Sequence, residues 1–242
     1  MYVFFFRKHW LFTMALSFLL FLLFLSFAWG QEKESRAAIK AMSWAVVGKT
    51  ILVDPGHGGE DPGKVSPGGV LEKDINLAVA KKVALLLSQG GANVYLTREK
   101  DQALSNKQET IRARKRADLQ ARVELMSGKD LYVAIHCNAF PASRWFGAQT
   151  FYAPAVPGSK ELAVCIMEEL TSFPGKTTRK AQADATSYIF KRGKIPMVNV
   201  ELGFLSNPRE EILLQDEAYQ DKLAWSIYAG IVRYLIEHNM EG

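Results

Sequence analysis

The sequence predicts a single α/β domain with a twisted, largely parallel or mixed sheet flanked by helices. Three observations lead there. Short β-branched runs alternate with amphipathic helical runs from Lys49 to His238, the pattern of a layered α/β domain. The 242-residue chain is 48% hydrophobic, enough for one full core. No internal repeat, low-complexity tract or second composition block interrupts the pattern.

The N-terminus stands apart. Arg7, Lys8 and His9 precede an uncharged run from Trp10 to Gly30 that is long enough to span a bilayer. Ala28-Trp29-Gly30 places small residues where a signal peptidase reads, so residues 1–30 are either a signal peptide or an uncleaved membrane anchor. Both readings export the remainder. Residues 31–48 read as a polar tether, and residues 49–238 as the compact domain.

Within that domain, Ile51-Leu52-Val53 is a strand that runs into Asp54-Pro55-Gly56. A loop rich in glycine and proline follows, from His57 to Gly69. Ile75, Ala78, Val79, Val83 and Leu86 mark a helix over Glu72–Ser88, closed by Gly90-Gly91, and Val94–Thr97 is the next strand. Residues 106–126 form a basic helical pattern whose charges read mostly as a solvated face. Leu131–Ile135 is a buried strand ending in His136-Cys137-Asn138. Gln149–Tyr152 is another strand, Ser159–Ser172 a helix, Met197–Val200 a strand ending at Glu201, and Glu217–His238 the last helix.

Charge excludes one class of partner. The formal net charge is +5, but residues 1–48 carry +3 of it. The 25 basic and 23 acidic residues that follow nearly cancel, so the domain lacks the basic surface that nucleic-acid binding needs. Cys137 and Cys165 are too few for a disulfide framework and read as two buried free thiols.

Of four histidines, His9 lies in the leader and His238 at the end of the last helix. His57 and His136 each follow a strand, at the edge where open α/β sheets bind ligands. Two histidines and a carboxylate can hold a catalytic zinc with one position left open. Glu72 is the natural third ligand, since the loop beginning at His57 ends on it, although a carboxylate at a helix start can equally serve as a cap. Cys137 points to the strand face opposite His136 and drops out. Glu201, closing a strand, reads as a general base or as one half of an ion pair.

These residues sit in recognisable blocks: Val53-Asp54-Pro55-Gly56-His57-Gly58-Gly59, Leu71-Glu72-Lys73-Asp74, Ala134-Ile135-His136-Cys137-Asn138-Ala139, and Val200-Glu201-Leu202-Gly203-Phe204-Leu205-Ser206-Asn207. In this order they resemble the family-3 N-acetylmuramoyl-L-alanine amidases, zinc hydrolases of the cell wall. The resemblance implies an amidase-3 (phosphorylase/hydrolase-like) fold and one zinc on His57, Glu72 and His136, with Glu201 as the catalytic carboxylate. The implied substrate is peptidoglycan, cut between the lactyl group and L-alanine. Lesser stretches, among them Phe140–Gln149, Thr177-Thr178-Arg179-Lys180 and Trp225–Ile231, resemble the sporulation branch, which matures spore cortex by forming muramic δ-lactam. That branch implies export to the outer face of the cytoplasmic membrane, the wall or the forespore intermembrane space, and allows an activating lipoprotein or other exported partner. Competing readings are another exported zinc hydrolase (a peptidase or deacetylase), a vegetative autolysin, or a non-catalytic wall-binding protein. Lys191 departs from the family's arginine five residues before the proline ahead of the last strand, which changes any bidentate contact made there. The link from Tyr152 to Ser159 is too short for the occluding helix that some family members insert.

Overall fold

The computed structural model describes residues 2–105, 110–174 and 177–239; within its helices the side chains of residues 2–9, 11, 27–29, 31–36, 38 and 239 fall outside the description. The chain forms two compact units, Met1–Met42 and Ser43–Gly242. The first is one helix, α1 (Tyr2–Ala41), whose described apolar side chains, such as Phe12, Phe18, Leu20 and Phe24, are exposed. Much of the expected leader thus lies outside the described side chains. Among the described residues, no helix is long and apolar enough to cross a membrane.

The second unit opens with a short 3-10 turn, Ser43–Val46, and then builds a six-stranded mixed sheet. Its strands are β1 (Thr50–Pro55), β2 (Asn93–Leu96), β3 (Leu131–Asn138), β4 (Gln149–Tyr152), β5 (Gln182–Ala183) and β6 (Met197–Phe204). The order is β2-β1-β3-β6-β4-β5. The first four run parallel, whereas β4 pairs antiparallel with β6 and carries β5 parallel to itself. The helices are α2 (Glu72–Gln89), α3 (Ile111–Glu124), α4 (Ser159–Ser172), α5 (Pro208–Gln215) and α6 (Glu217–Asn239).

The central strands are covered on both faces, which is why they read as nearly unbroken apolar runs. One face packs on α2 and α4, and α6 packs against both of these helices. On the other face Leu52, Tyr132, Ala134 and Met197 meet Ile189, Phe190 and Met126, with Leu119 and Val123 of α3 against them. Alternation along β3 and β6 puts His136 and Glu201 on this second face, one step beyond its packed part.

Both strands outrun their expected ends. β3 continues through His136 to Asn138, with an irregular register between those two residues, and β6 continues through Glu201 to Phe204. Polar side chains did not end the ladders because their face is open at that edge and backbone pairing continues beneath them. The basic helix expected from residue 106 starts at Ile111, capped by Thr110, whose side chain accepts from the Ala113 N–H; residues 106–109 lie outside the description. Helix α5 was not anticipated. Its start is nonetheless written in the sequence: the Asn207 side chain accepts from the Arg209 and Glu210 N–H groups, with Pro208 in the first turn.

Candidate metal centre

The structure brings His57, Glu72 and His136 together, with one ligand atom from each within 4.8 Å of the others. Glu72 Oε1 lies 3.2 Å from His57 Nε2 and 2.9 Å from His136 Nδ1. The two rings stand edge to face, with centroids 5.0 Å apart. Three sequence-distant elements, the ends of β1 and β3 and the start of α2, supply these groups.

Glu72 is not a helix cap. Leu71 occupies the N-cap position of α2 and makes no side-chain cap bond. The Glu72 carboxylate instead turns toward the sheet edge, where Oε2 accepts from the Lys64 N–H (2.8 Å) and Oε1 from the Cys137 N–H (3.1 Å) and Asn76 Nδ2 (3.3 Å). Burial alone would raise its pKa, but the histidines His136 and His57 outweigh burial and hold it well below the usual carboxylate range. It is a buried anion facing two imidazoles, a donor set suited to zinc.

His57 has φ of 61°, the only described non-glycine residue in the left-handed region. Strained backbone of this kind persists where the surroundings over-determine it. Here two buried arginines do so. The His57 carbonyl accepts from Arg98 Nε (2.7 Å) and Arg122 Nη2 (3.0 Å), and the Gly56 carbonyl from Arg98 Nη2 (3.0 Å) and Asn76 Nδ2 (3.2 Å). Asp54, fully buried on β1, pairs with Arg122 and accepts from Thr97 and Tyr132. Burial opposes its charge, and Arg122 followed by the two hydroxyls lowers its pKa nevertheless. The loop is tight as well as strained. A Cβ at Gly56 would lie 2.1 Å from the His136 ring, and one at Gly63 would lie 2.6 Å from Glu72 Oε2.

Around these groups sit carboxylates with separate tasks. Asp61 Oδ2 bonds His57 Nδ1 at 2.8 Å, which fixes the ring and leaves Nε2 aimed at Glu72. That hydrogen bond is the main reason the Asp61 pKa falls to about 2. Burial disfavours a charged His57, but Asp61 and Glu72 raise its pKa to about 9. Glu201 pairs in register with His136 on the neighbouring strand. Its Oε1 accepts from Asn199 Nδ2 (3.0 Å), while its buried Oε2 has no hydrogen-bond partner. Burial raises its pKa, and the nearby histidines only partly oppose this. A buried carboxylate oxygen with no partner is costly, so such a group marks a place where a proton or a ligand is expected. Among the described residues, no Arg or Lys forms an ion pair with Glu201.

Cys137 is buried on the opposite face, as expected, and burial pushes its thiol pKa well up. Cys165 is likewise a buried free thiol. Lys191 is exposed; burial opposes the charge of Asp184, and its bonds to Thr186 and Ser187, followed by the Lys191 charge, lower its pKa nevertheless. Sequence reasoning missed Asp61, Asp54, Arg122 and Asn76. Arg122 was counted among the solvated charges of its helix, yet it is 2% exposed. Its i−4 neighbour Asp118, which it bonds at 2.7 Å, was the available signal that it differs from the other arginines there.

Comparison with known proteins gives the family and the fold. A family profile described as N-acetylmuramoyl-L-alanine amidase matches residues 51–233. The germination-specific N-acetylmuramoyl-L-alanine amidase of Bacillus subtilis is 42% identical over 92% of this chain and 94% of that protein. The LytC amidase of the same organism is 37% identical over 78% of this chain, but only 36% of its own longer length. The CwlD amidase of Clostridioides difficile, solved in complex with the GerS lipoprotein, superposes with a TM-score of 0.76 at 43% identity, covering 78% of this chain and 99% of the solved one.

Proposed function

The chain belongs to the N-acetylmuramoyl-L-alanine amidase family, and from that membership we propose that His57, Glu72 and His136 hold one catalytic zinc and that Glu201 is the general base. The enzyme is an amidase of the cell wall, and its substrate is the amide joining the lactyl group of N-acetylmuramic acid to the stem peptide. The observation that carries the assignment is the convergence of the three donor atoms beside the unpartnered Glu201 oxygen.

Zinc held by these residues would supply Lewis acidity toward the amide carbonyl and toward water. The chain's own groups do the rest. Glu72 and the two histidines fix the donor set, and Asp61 holds His57 Nδ1 so that its other nitrogen faces the site. Glu201 Oε2 takes the proton of the attacking water and returns it to the L-alanine nitrogen as the amide breaks. Its raised pKa suits both halves of that shuttle, because it can hold the proton in between. Asn199 fixes the carboxylate by bonding the other oxygen.

Residues 1–30 serve as signal peptide or anchor, 31–48 as tether and 49–238 as the catalytic domain, which acts outside the cytoplasmic membrane. The exposed apolar side chains of α1 support the export reading. The biological setting is spore-cortex maturation, supported by the identity to a germination-specific relative over nearly its whole length. An exported lipoprotein partner is supported by the solved complex of the CwlD relative.

Digestion of purified peptidoglycan with zinc-loaded protein tests the reaction. Mass spectrometry should show new free L-alanine amino termini and newly freed lactyl carboxylates. Released acetate or internal peptide cleavage instead would assign a deacetylase or a peptidase. Spores lacking the protein should have cortex without muramic δ-lactam, and a normal muropeptide profile would remove the cortex role.

A further inference from the structure

His136, Glu201 and Gln149 lie side by side on three adjacent strands, because β3 pairs His136 with Glu201 and β4 pairs Gln149 with Glu201. Laterally paired residues project on one face, so the three form a row leading away from the metal centre. The row ends on a cation. Arg179 Nη1 donates to Gln149 Oε1 (3.0 Å) and Nε to the Phe146 carbonyl (3.3 Å). Its guanidinium lies 5.3 Å from the Trp145 ring centre and 4.8 Å from that of Phe204.

This arrangement is built. Gln149 is buried, and its amide nitrogen donates to Gln182 Oε1 (3.1 Å), which turns the amide oxygen toward Arg179. The loop that carries Trp145 is pinned by Asn207 Nδ2 on its carbonyl (3.1 Å) and by the Gly147 N–H on Glu210 (2.9 Å). Every hydrogen bond described for Arg179 ends on a neutral oxygen. Phe140 and Phe146, both more than half exposed, extend the surface outward. A guanidinium stacked on rings and bonded to neutral acceptors still has donors to offer a planar anion.

We propose that Arg179, on its Trp145 and Phe204 platform, binds a carboxylate of the stem peptide and so selects acidic stems; the inference rests on the amidase reading of the same site. Adjacent strands are about 4.8 Å apart, so β4 lies about 10 Å from β3. An extended peptide covers about 3.3–3.6 Å per residue, so a stem cleaved beside Glu201 brings a carboxylate to Arg179 two or three residues along.

Two synthetic N-acetylmuramoyl peptides test this, identical except that one bears a free carboxylate and the other a carboxamide at the second or third stem residue. The zinc-loaded protein should cleave the acid with kcat/KM about tenfold or more above the amide, the size of one charge-assisted hydrogen bond. Arg179→Gln should raise KM for the acid by about the same factor and leave the amide unchanged, and Arg179→Lys should restore part of the preference. An intact protein that does not discriminate overturns the proposal without recourse to any variant. So does an Arg179→Gln protein of unchanged zinc content and melting temperature that loses both substrates equally, which would make the arginine structural. An acid preference that survives Arg179→Gln would leave the platform as a protein contact instead. If neither peptide yields a free L-alanine amino terminus, the amidase reading fails rather than this one.

Discussion

Replacing Arg122 by methionine removes the cation paired with buried Asp54, its bond to Asp118 (2.7 Å), and two hydrogen bonds, to the Pro55 carbonyl (3.2 Å) and the His57 carbonyl (3.0 Å). Breaking a buried pair from one side costs about 3–5 kcal/mol, because it strands the other charge. A domain of this size has about 5–15 kcal/mol in all, and about 2–4 °C of melting temperature accompanies each kcal/mol, so a fall of roughly 6–20 °C is expected. The pH dependence separates this cause from simple loss of packing. In the wild type the folded pKa of Asp54 is lowered, so its contribution is present above the unfolded value of 3.8 and is lost as pH falls through the folded pKa. In Arg122→Met, burial dominates and the folded pKa rises above the unfolded one. That variant loses stability as pH climbs from about 4 toward its new pKa. The difference between the two proteins should therefore grow with pH across the acid range. Denaturant unfolding followed by circular dichroism, at several pH values and with unchanged m, measures it. Adding Asp54→Asn should recover much of the loss. A difference below about 1 kcal/mol, flat in pH and not relieved by Asp54→Asn, would refute the reasoning.

Three further outcomes follow from the site. Glu201→Gln should retain zinc yet lose about 10²–10⁴-fold in kcat, read from product masses beside metal analysis; near-normal turnover would remove Glu201 from the proton path. Asp61→Asn should weaken zinc binding about 10–100-fold in chelator competition, since it loosens the His57 ring, and unchanged affinity would show that Asp61 has no such task. Zinc binding should be proton-coupled: with the metal-free His57 pKa raised to about 9, the imidazole is charged at neutral pH and must give up its proton to bind. Calorimetry in buffers of different ionisation enthalpy should then show about one proton released at pH 7, and none released would show that His57 is already neutral before zinc binds.

The strands and most helices were legible because their apolar periods are strong, and the fold class followed from their alternation. The metal residues were legible for a different reason. With His238 at the end of the last helix, His57 and His136 were the domain's two histidines at strand ends and the pair was nearly forced, while Glu72 and Glu201 needed the motif blocks. What the sequence could not convey is how distant residues converge. Arg122 lies on a helix where its neighbours Arg112, Lys115 and Arg116 are exposed, and only packing on β1 separates it from them. Glu210, in the first turn of the unanticipated α5, is buried and accepts from the N–H groups of Gly147 (2.9 Å) and Phe204 (2.8 Å). Asp61 is one acid in a loop of many polar residues, and nothing but its distance to His57 marks it out.

The left-handed conformation of His57 has a consequence for anyone who would transplant this motif. The seven residues from Val53 to Gly59 look portable, but the shape that aims His57 is enforced by Arg98 and Arg122, which lie 41 and 65 positions further along the chain. Grafted onto another strand without those two guanidinium groups, the same letters would relax to a commoner backbone and the imidazole would swing off target. A protein designer would need to move both clasps together with the loop, or choose glycine there and give up the ligand.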